Sequence, residues 1–264
     1  MRRIRMRRAH RAGVRAIVTS GVAPNDWSDA LKIADEITGA QQAPSVYAGL
    51  GLHPYAVSSD AGRNREALER LESLLETRAT SPDLQRRWIA LGECGLDFRK
   101  GMPFASKEIQ IAALEAQLQL AQAHQLPVVL HCVAAHGALL ELLDSHQLVP
   151  SILHAFSGSA EMAERFSAKG HYISFAGNLT RGDAKKVHRA CQAVALERLL
   201  IESDSPDQTP QGRGAVPNEP AFVEDIARAL AHHRNEDFPT LARASYENAT
   251  RVYRVNPPRY AETP

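Results

Sequence analysis

LPVVLH, Leu126–His131, is the stretch whose reading decides the fold. It is apolar on both faces of an extended chain until a histidine closes it. A strand of that kind is covered on both sides, which is the habit of parallel sheets between helices. Working outward, the same unit recurs: a short apolar run, a polar residue, then an amphipathic stretch. The pattern predicts strands at Ala16–Ser20, Val46–Leu52, Trp88–Leu91, Pro127–His131, Ser151–His154, Tyr172–Phe175 and Leu199–Glu202. Helices are predicted near Arg2–Ala12, Asp26–Thr38, Asn64–Arg78, Ser106–His124, Gly137–His146, Ala160–Lys169, Arg181–Val194, Glu219–His233 and Tyr246–Val255. Asn25 or Asp26 and Ser106 are suited to N-caps, and Gly13, Gly39 and Gly170 to helix stops. Arg78–Arg87 reads as a surface loop.

Alternating strands and helices at this spacing predict an α/β chain, a TIM-type (β/α) barrel. At 264 residues the length suits one such domain, which typically needs roughly 250. The domain is expected over residues 1–255, with a loose tail over 256–264. Only seven strands are readable, and the first helix, Arg2–Ala12, has no strand before it. The expectation is therefore a barrel whose first strand is missing.

Lys and Arg number 31 against 30 Asp and Glu, a net charge of +1, which excludes a polycation built to coat nucleic acid. The balance is uneven. Seven arginines precede the first acid, Asp26, and the remainder carries 24 basic and 30 acidic groups, a net of −6. Such an Arg-rich, acid-free start has the look of an organelle transit peptide or a DNA-binding arm. The apolar positions Ile4, Ala9, Ala12 and Val14 favour a helix packed on the fold instead. Three widely spaced cysteines, Cys94, Cys132 and Cys191, point to a reducing, cytoplasmic setting without disulfides. No apolar run approaches the ~20 residues of a membrane span, and no obligate protein partner is indicated.

The chemistry-bearing residues fall at strand ends. His53 follows Val46–Leu52, Glu93 follows Trp88–Leu91, His131 and His154 end their strands, and Asp204 follows Leu199–Glu202. In a (β/α) barrel that rim carries the active site. Any one histidine after an apolar run is most often a packed residue. Five such side chains on one rim would be costly to bury unpaired, and a divalent cation removes that cost. Glu93, His131 and His154 form a two-imidazole, one-carboxylate set of the kind that leaves a catalytic metal an open position. Asp204 is then a further ligand or the base that takes a proton from water. Cys94 and Cys132 flank these ligands and should point away from them.

The segments GLHP (Gly51–Pro54), GECGLD (Gly92–Asp97), LPVVLH (Leu126–His131), HAFSG (His154–Gly158), ESDSP (Glu202–Pro206), NEP (Asn218–Pro220) and NATRVY (Asn248–Tyr253) together resemble the TatD family of metal-dependent deoxyribonucleases. The resemblance spans nearly the whole chain. It implies an amidohydrolase-type TIM barrel, one or two divalent ions (Mg, Zn or Mn) and hydrolysis of phosphodiester bonds in a DNA substrate. Carried over, Glu93 resembles the glutamate that bridges two metals, and His131 and His154 the imidazoles that hold one of them. Asp204 resembles the aspartate on the other metal. His53 matches a histidine near the substrate phosphate, and Arg213 and Asn218 lie in a loop that could help hold substrate. Two departures stand out. The family's opening H-x-H pair is absent, and it belongs on the strand missing before Arg2–Ala12. Where the family has H-x-R, this chain has His131-Cys132-Val133. Both leave open an impaired enzyme, a hydrolase of a small phosphoester or amide, or a non-catalytic relative.

Overall fold

A computed structural model describes residues 2–38, 40–146 and 151–257. Seven parallel strands form one sheet in the order β1-β2-β3-β4-β5-β6-β7. They are β1 (Ala16–Gly21), β2 (Ser45–Leu50), β3 (Trp88–Asp97), β4 (Val128–Val133), β5 (Ile152–Leu153), β6 (Tyr172–Phe175) and β7 (Leu199–Ile201). Each neighbours the next in sequence, and helices connect them, as in a TIM-type (β/α) barrel. Among the described residues β1 pairs with β2 alone and β7 with β6 alone, so the two ends of the sheet are not hydrogen-bonded to each other.

The strands present two faces by simple alternation. Leu91, Val128, Leu130, Leu153, Ile173 and Leu199 pack outward into the large core shared with the helices. Ala90, Val129, Ile152, Tyr172 and Leu200 form a smaller inner cluster, closed by Val252. Val252 sits on the last helix, α10 (Phe238–Tyr253), which so plugs the inner face from one end. Parity then fixes where function can lie. His131 is in phase with Val129, His154 with Ile152, and Glu202 with Leu200, so all three continue the inner face beyond the strands' C-terminal ends.

The helices differ from the sequence reading mainly at their ends. Arg78–Arg87 is not a loop. The helix α3 (Ala61–Thr80) runs into it, and Ser81 caps a further short helix, α4 (Pro82–Arg87), accepting from the Leu84 amide. Pro82 at the first position and Asp83, paired with Arg86 and Arg87, stabilise that turn. Asp26 sits at the N-cap of α2 (Trp27–Ile37), but its side chain makes no capping bond. Ser106 caps α5 (Lys107–Ala123) as expected. The stretch expected as one helix from Arg181 opens instead with a 3-10 turn at Gly177–Thr180 before α8 (Lys185–Ala193). The predicted Tyr246–Val255 helix is the latter half of α10, which Asp237 caps through the Thr240 amide. Gly13 and Gly170 take the left-handed conformations expected of helix stops. Gly39 and the end of the expected tail, from residue 258, lie outside the described residues.

The arginine-rich start is a helix, α1 (Arg2–Arg11), whose Ala9 is buried and whose Met6 packs on the core. Two of its arginines, Arg5 and Arg8, reach the carboxylate of Glu219, which is only 5% exposed. All three cysteines are free and buried. No described helix is long and apolar enough to cross a membrane.

Candidate metal centre

Strand β3 is the element that aims the central carboxylate. Its pairing to β4 shifts register between Leu91 and Cys94. Strict alternation from the inward Ala90 would turn Cys94 inward. The irregularity resets the phase, so Cys94 and Leu96 join the outer core while Glu93 and Asp97 face the centre. Glycine is required on both sides of Glu93, because β4 lies so close. A Cβ on Gly92 would come within 2.4 Å of the Val129 carbonyl oxygen, and one on Gly95 within 2.0 Å of that of His131. Both glycines also have positive φ, +122° and +144°.

Glu93 is the hub. Its Oε1 lies 3.1 Å from Nδ1 of His131, 3.4 Å from Nε2 of His53 and 3.6 Å from Nε2 of His154. His154 Nε2 is also 3.4 Å from Asp204 Oδ1. The four strand-end residues and Asp204 are thus gathered into one centre, as the sequence predicts. Ligand atoms of His53, Glu93 and His131 lie within 4.8 Å of one another, which makes His53 a candidate ligand in addition to its expected place beside substrate.

The far sides of two of these imidazoles are also engaged. His131 turns Nε2 to Asp97 at 3.1 Å, and His154 turns Nδ1 to Glu202 at 2.9 Å. Each carboxylate orients a ring, the usual support of a metal-binding imidazole. Asp97 is itself gripped by Arg99 through Nε and Nη2 and accepts from the Arg99 amide. Glu202 accepts from the Ala155 amide. The sequence reading missed Asp97 and Glu202 as partners. Their signal was present, because both are acids inside the quoted GECGLD and ESDSP segments.

Asp204 is held differently. Its φ is +54°, unusual for a residue with a side chain, and its Oδ2 accepts from Gln208 Nε2 at 2.6 Å. The loop that carries it is pinned by Asn218, which is fully buried. The Asn218 amide donates to the carbonyls of Ser203 (2.5 Å) and Asp207 (2.7 Å), and its Oδ1 accepts from the Glu219 amide. Arg213 pairs with Asp225 at 2.5 and 2.8 Å and lies over the Phe222 ring. The structure brings neither Arg213 nor Asn218 to the Glu93 cluster. The Asn218 amide is engaged wholly within the loop, whereas Arg213 is tied to the neighbouring helix along one edge of its guanidinium.

The charges show what the cluster lacks. Burial alone would raise the Glu93 carboxyl, but His154 and the bonds from His131 and His53 outweigh it and hold that acid well below the carboxylate range. Burial works against charge on His154, yet Glu202, Glu93 and Asp204 raise it well above an ordinary imidazole. Asp204 is pushed up to about 6, by burial first, against His154, with Glu202 adding to the rise. Burial lowers His53 despite Glu93. An acid-rich centre that holds a proton on a buried imidazole is one that favours a cation. The donor set, imidazole nitrogens with carboxylate oxygens, suits a divalent ion such as Zn or Mn. Burial pushes the Cys132 thiol up to about 12, so it offers no thiolate to that ion near neutrality.

The family model described as TatD related DNase matches residues 2–254. The chain belongs to the TatD-related DNase family. A 3′-5′ ssDNA/RNA exonuclease TatD from Citrobacter rodentium is 32% identical over 257 residues, covering 94% of this chain and 90% of the relative. The uncharacterized metal-dependent hydrolase YjjV of Escherichia coli K12 is 31% identical, covering 95% and 90%. The crystal structure of that TatD homologue superposes with a TM-score of 0.85 over 97% of this chain and 92% of its own. An uncharacterized amidohydrolase from Saccharomyces cerevisiae shares the fold at 18% identity and a TM-score of 0.80. This TatD-family chain is an enzyme, a metal-dependent hydrolase.

Proposed function

We propose that this chain cleaves phosphodiester bonds in a nucleic-acid strand, with DNA as substrate, at the Glu93 centre. The observation that carries the reading is the single Glu93 oxygen facing three imidazoles whose far nitrogens or flanks are already held. Glu93, His131, His154 and Asp204 would hold one or two divalent ions, with His53 at the edge where a phosphate enters. Such an ion supplies charge stabilisation at the phosphoryl group and a more acidic water. Asp204, whose carboxyl burial raises, is placed either to complete that ligand set or to take the proton from the attacking water. Glu202 and Asp97 fix the two imidazole rings. Arg213 and Asn218 serve substrate indirectly, by shaping the loop that carries Asp204. Relatives named as 3′-5′ ssDNA/RNA exonucleases make a single strand the first substrate to try. A cytoplasmic setting suits an enzyme with three free buried thiols.

The test is to strip the protein with chelator, reload it with Mg, Mn or Zn, and supply an end-labelled single-stranded oligonucleotide beside a small phosphodiester. The expected outcome is oligonucleotide cleavage that returns with metal and is abolished in Glu93→Gln. Metal-dependent cleavage of the small ester alone would reject a nucleic-acid substrate. Cleavage that persists without metal would reject the centre.

A further inference from the structure

The Asp97 carboxylate carries more than His131. Its side chain is wholly buried, and it sits on the inner face beside the cluster. Arg99 reaches back over it in a forked contact, Nε to Oδ1 at 2.9 Å and Nη2 to Oδ2 at 2.5 Å. The guanidinium is not consumed by that contact. The Arg99 side chain is 49% exposed, and among the described residues Nη1 has no hydrogen-bond partner. The ring of Phe104 lies 5.8 Å from the guanidinium carbon and limits where it can swing. The result is a cation anchored along one edge and open along the other, one carboxylate away from His131.

We propose that Arg99 is a substrate-binding residue: its open edge grips a phosphate of the nucleic-acid strand next to the scissile one, while Asp97 fixes its inner edge. The assignment rests on the nuclease reading above. Arginine suits the task because its planar fork presents donors on more than one side, so one carboxylate and one phosphate are served together. A buried anchor also lowers the entropy lost when the strand binds. The neighbouring strand offers no rival at this level. Val133, the register partner of Asp97 on β4, is apolar.

Arg99→Ala and Arg99→Gln test this in the metal-loaded enzyme. The glutamine amide can still donate to Asp97 but carries no charge. Cleavage of a fluorescein-labelled single-stranded oligonucleotide is measured over a range of KCl, with metal content and Tm taken on the same preparations. The expected result in both variants is a KM raised about tenfold, a kcat within about twofold, unchanged metal content, and a salt slope of log kcat/KM shallower by about 0.7, the share of one phosphate contact on a single strand. Wild-type KM and salt slope in Arg99→Gln, with the parent enzyme cleaving normally, would overturn the role of Arg99 and leave the nuclease reading intact. A fall in metal content in both variants would overturn it too, because Arg99 would then act through Asp97 and His131. A metal-loaded parent enzyme that cleaves no oligonucleotide would overturn the nuclease reading, and this proposal with it.

Discussion

The two sides of the centre are built to different standards. On the β3–β5 side, Glu93, His131 and His154 leave adjoining, mutually paired strands, and each imidazole has its own buried or half-buried carboxylate behind it. On the β7 side, Asp204 stands on a loop in a left-handed conformation, backed by Gln208 and by the Asn218 clamp. Beyond it the sheet is not continued to β1 among the described residues. Ligands on rigid strands with fixed orientations hold an ion at little reorganisation cost, whereas a ligand on a loop must be held there by other contacts. The β3–β5 half should therefore keep its metal under conditions in which the Asp204 half does not.

The sharpest way to break this comparison is to remove one ligand from each side. Glu93→Gln is expected to lose bound metal and lower kcat by roughly a thousandfold or more, the scale of removing a group central to transition-state charge. Asp204→Asn is expected to retain a metal on the β3–β5 side while kcat falls about a hundredfold. Equal metal loss in the two variants would show that the halves are not distinct. Next in size is the supporting layer. Glu202→Gln should weaken metal affinity by about 10–100-fold without unfolding the protein, read by competition with a chelator.

The proton on His154 gives a third handle. Its pKa is raised in the folded protein, so its contribution to stability is complete below the ordinary value near 6.5 and lost as pH rises through the folded value. Asp204, raised to about 6, acts with the same sign at lower pH. The metal-free protein should then lose Tm as pH is taken from about 6.5 upward, and saturating metal should remove that loss, since the ion displaces the proton. A Tm that rises over the same range without metal would contradict the assignment. The smallest effect belongs to the loop. Arg8→Ala leaves Arg5, 3.9 Å away, as the remaining ion pair of Glu219 among the described residues, and is expected to cost about 1–2 kcal/mol in denaturant unfolding while metal content on the β3–β5 side stays unchanged.

Much of this was readable without coordinates, for reasons that differ by residue. His131 and His154 end runs such as Pro127–Leu130, and although one such histidine alone is most often a packed residue, five acid or imidazole side chains at strand ends on one rim pointed to a shared site. The seven strands followed from the same alternation. Glu93 was placed on the rim correctly, but the register shift that turns it inward was not visible, because strand pairing is a property of two segments at once. Asp97 and Glu202 lay inside quoted segments, yet their task depends on which ring nitrogen they meet. Arg213 and Asn218 were assigned to substrate because their loop resembles the family's NEP segment. The partners that commit them are Asp225, on a helix, and backbone carbonyls that sequence does not display. The short helix Pro82–Arg87 hid behind a proline that serves as its first residue. The arginine-rich start forms a helix on the fold, and its tie to the buried Glu219 carboxylate could not be read from sequence because the partner lies more than two hundred residues away.

The central claim is that Glu93 and its imidazoles form a metal site that precedes and outlasts the Asp204 side. Its most direct measurement is a calorimetric titration of Zn or Mn into the chelator-stripped protein, run in parallel with Glu93→Gln and Asp204→Asn. The structure leads us to expect a tight binding event in the parent protein that survives in Asp204→Asn and vanishes in Glu93→Gln. Tight binding that survives in Glu93→Gln, or that vanishes in Asp204→Asn, would contradict it.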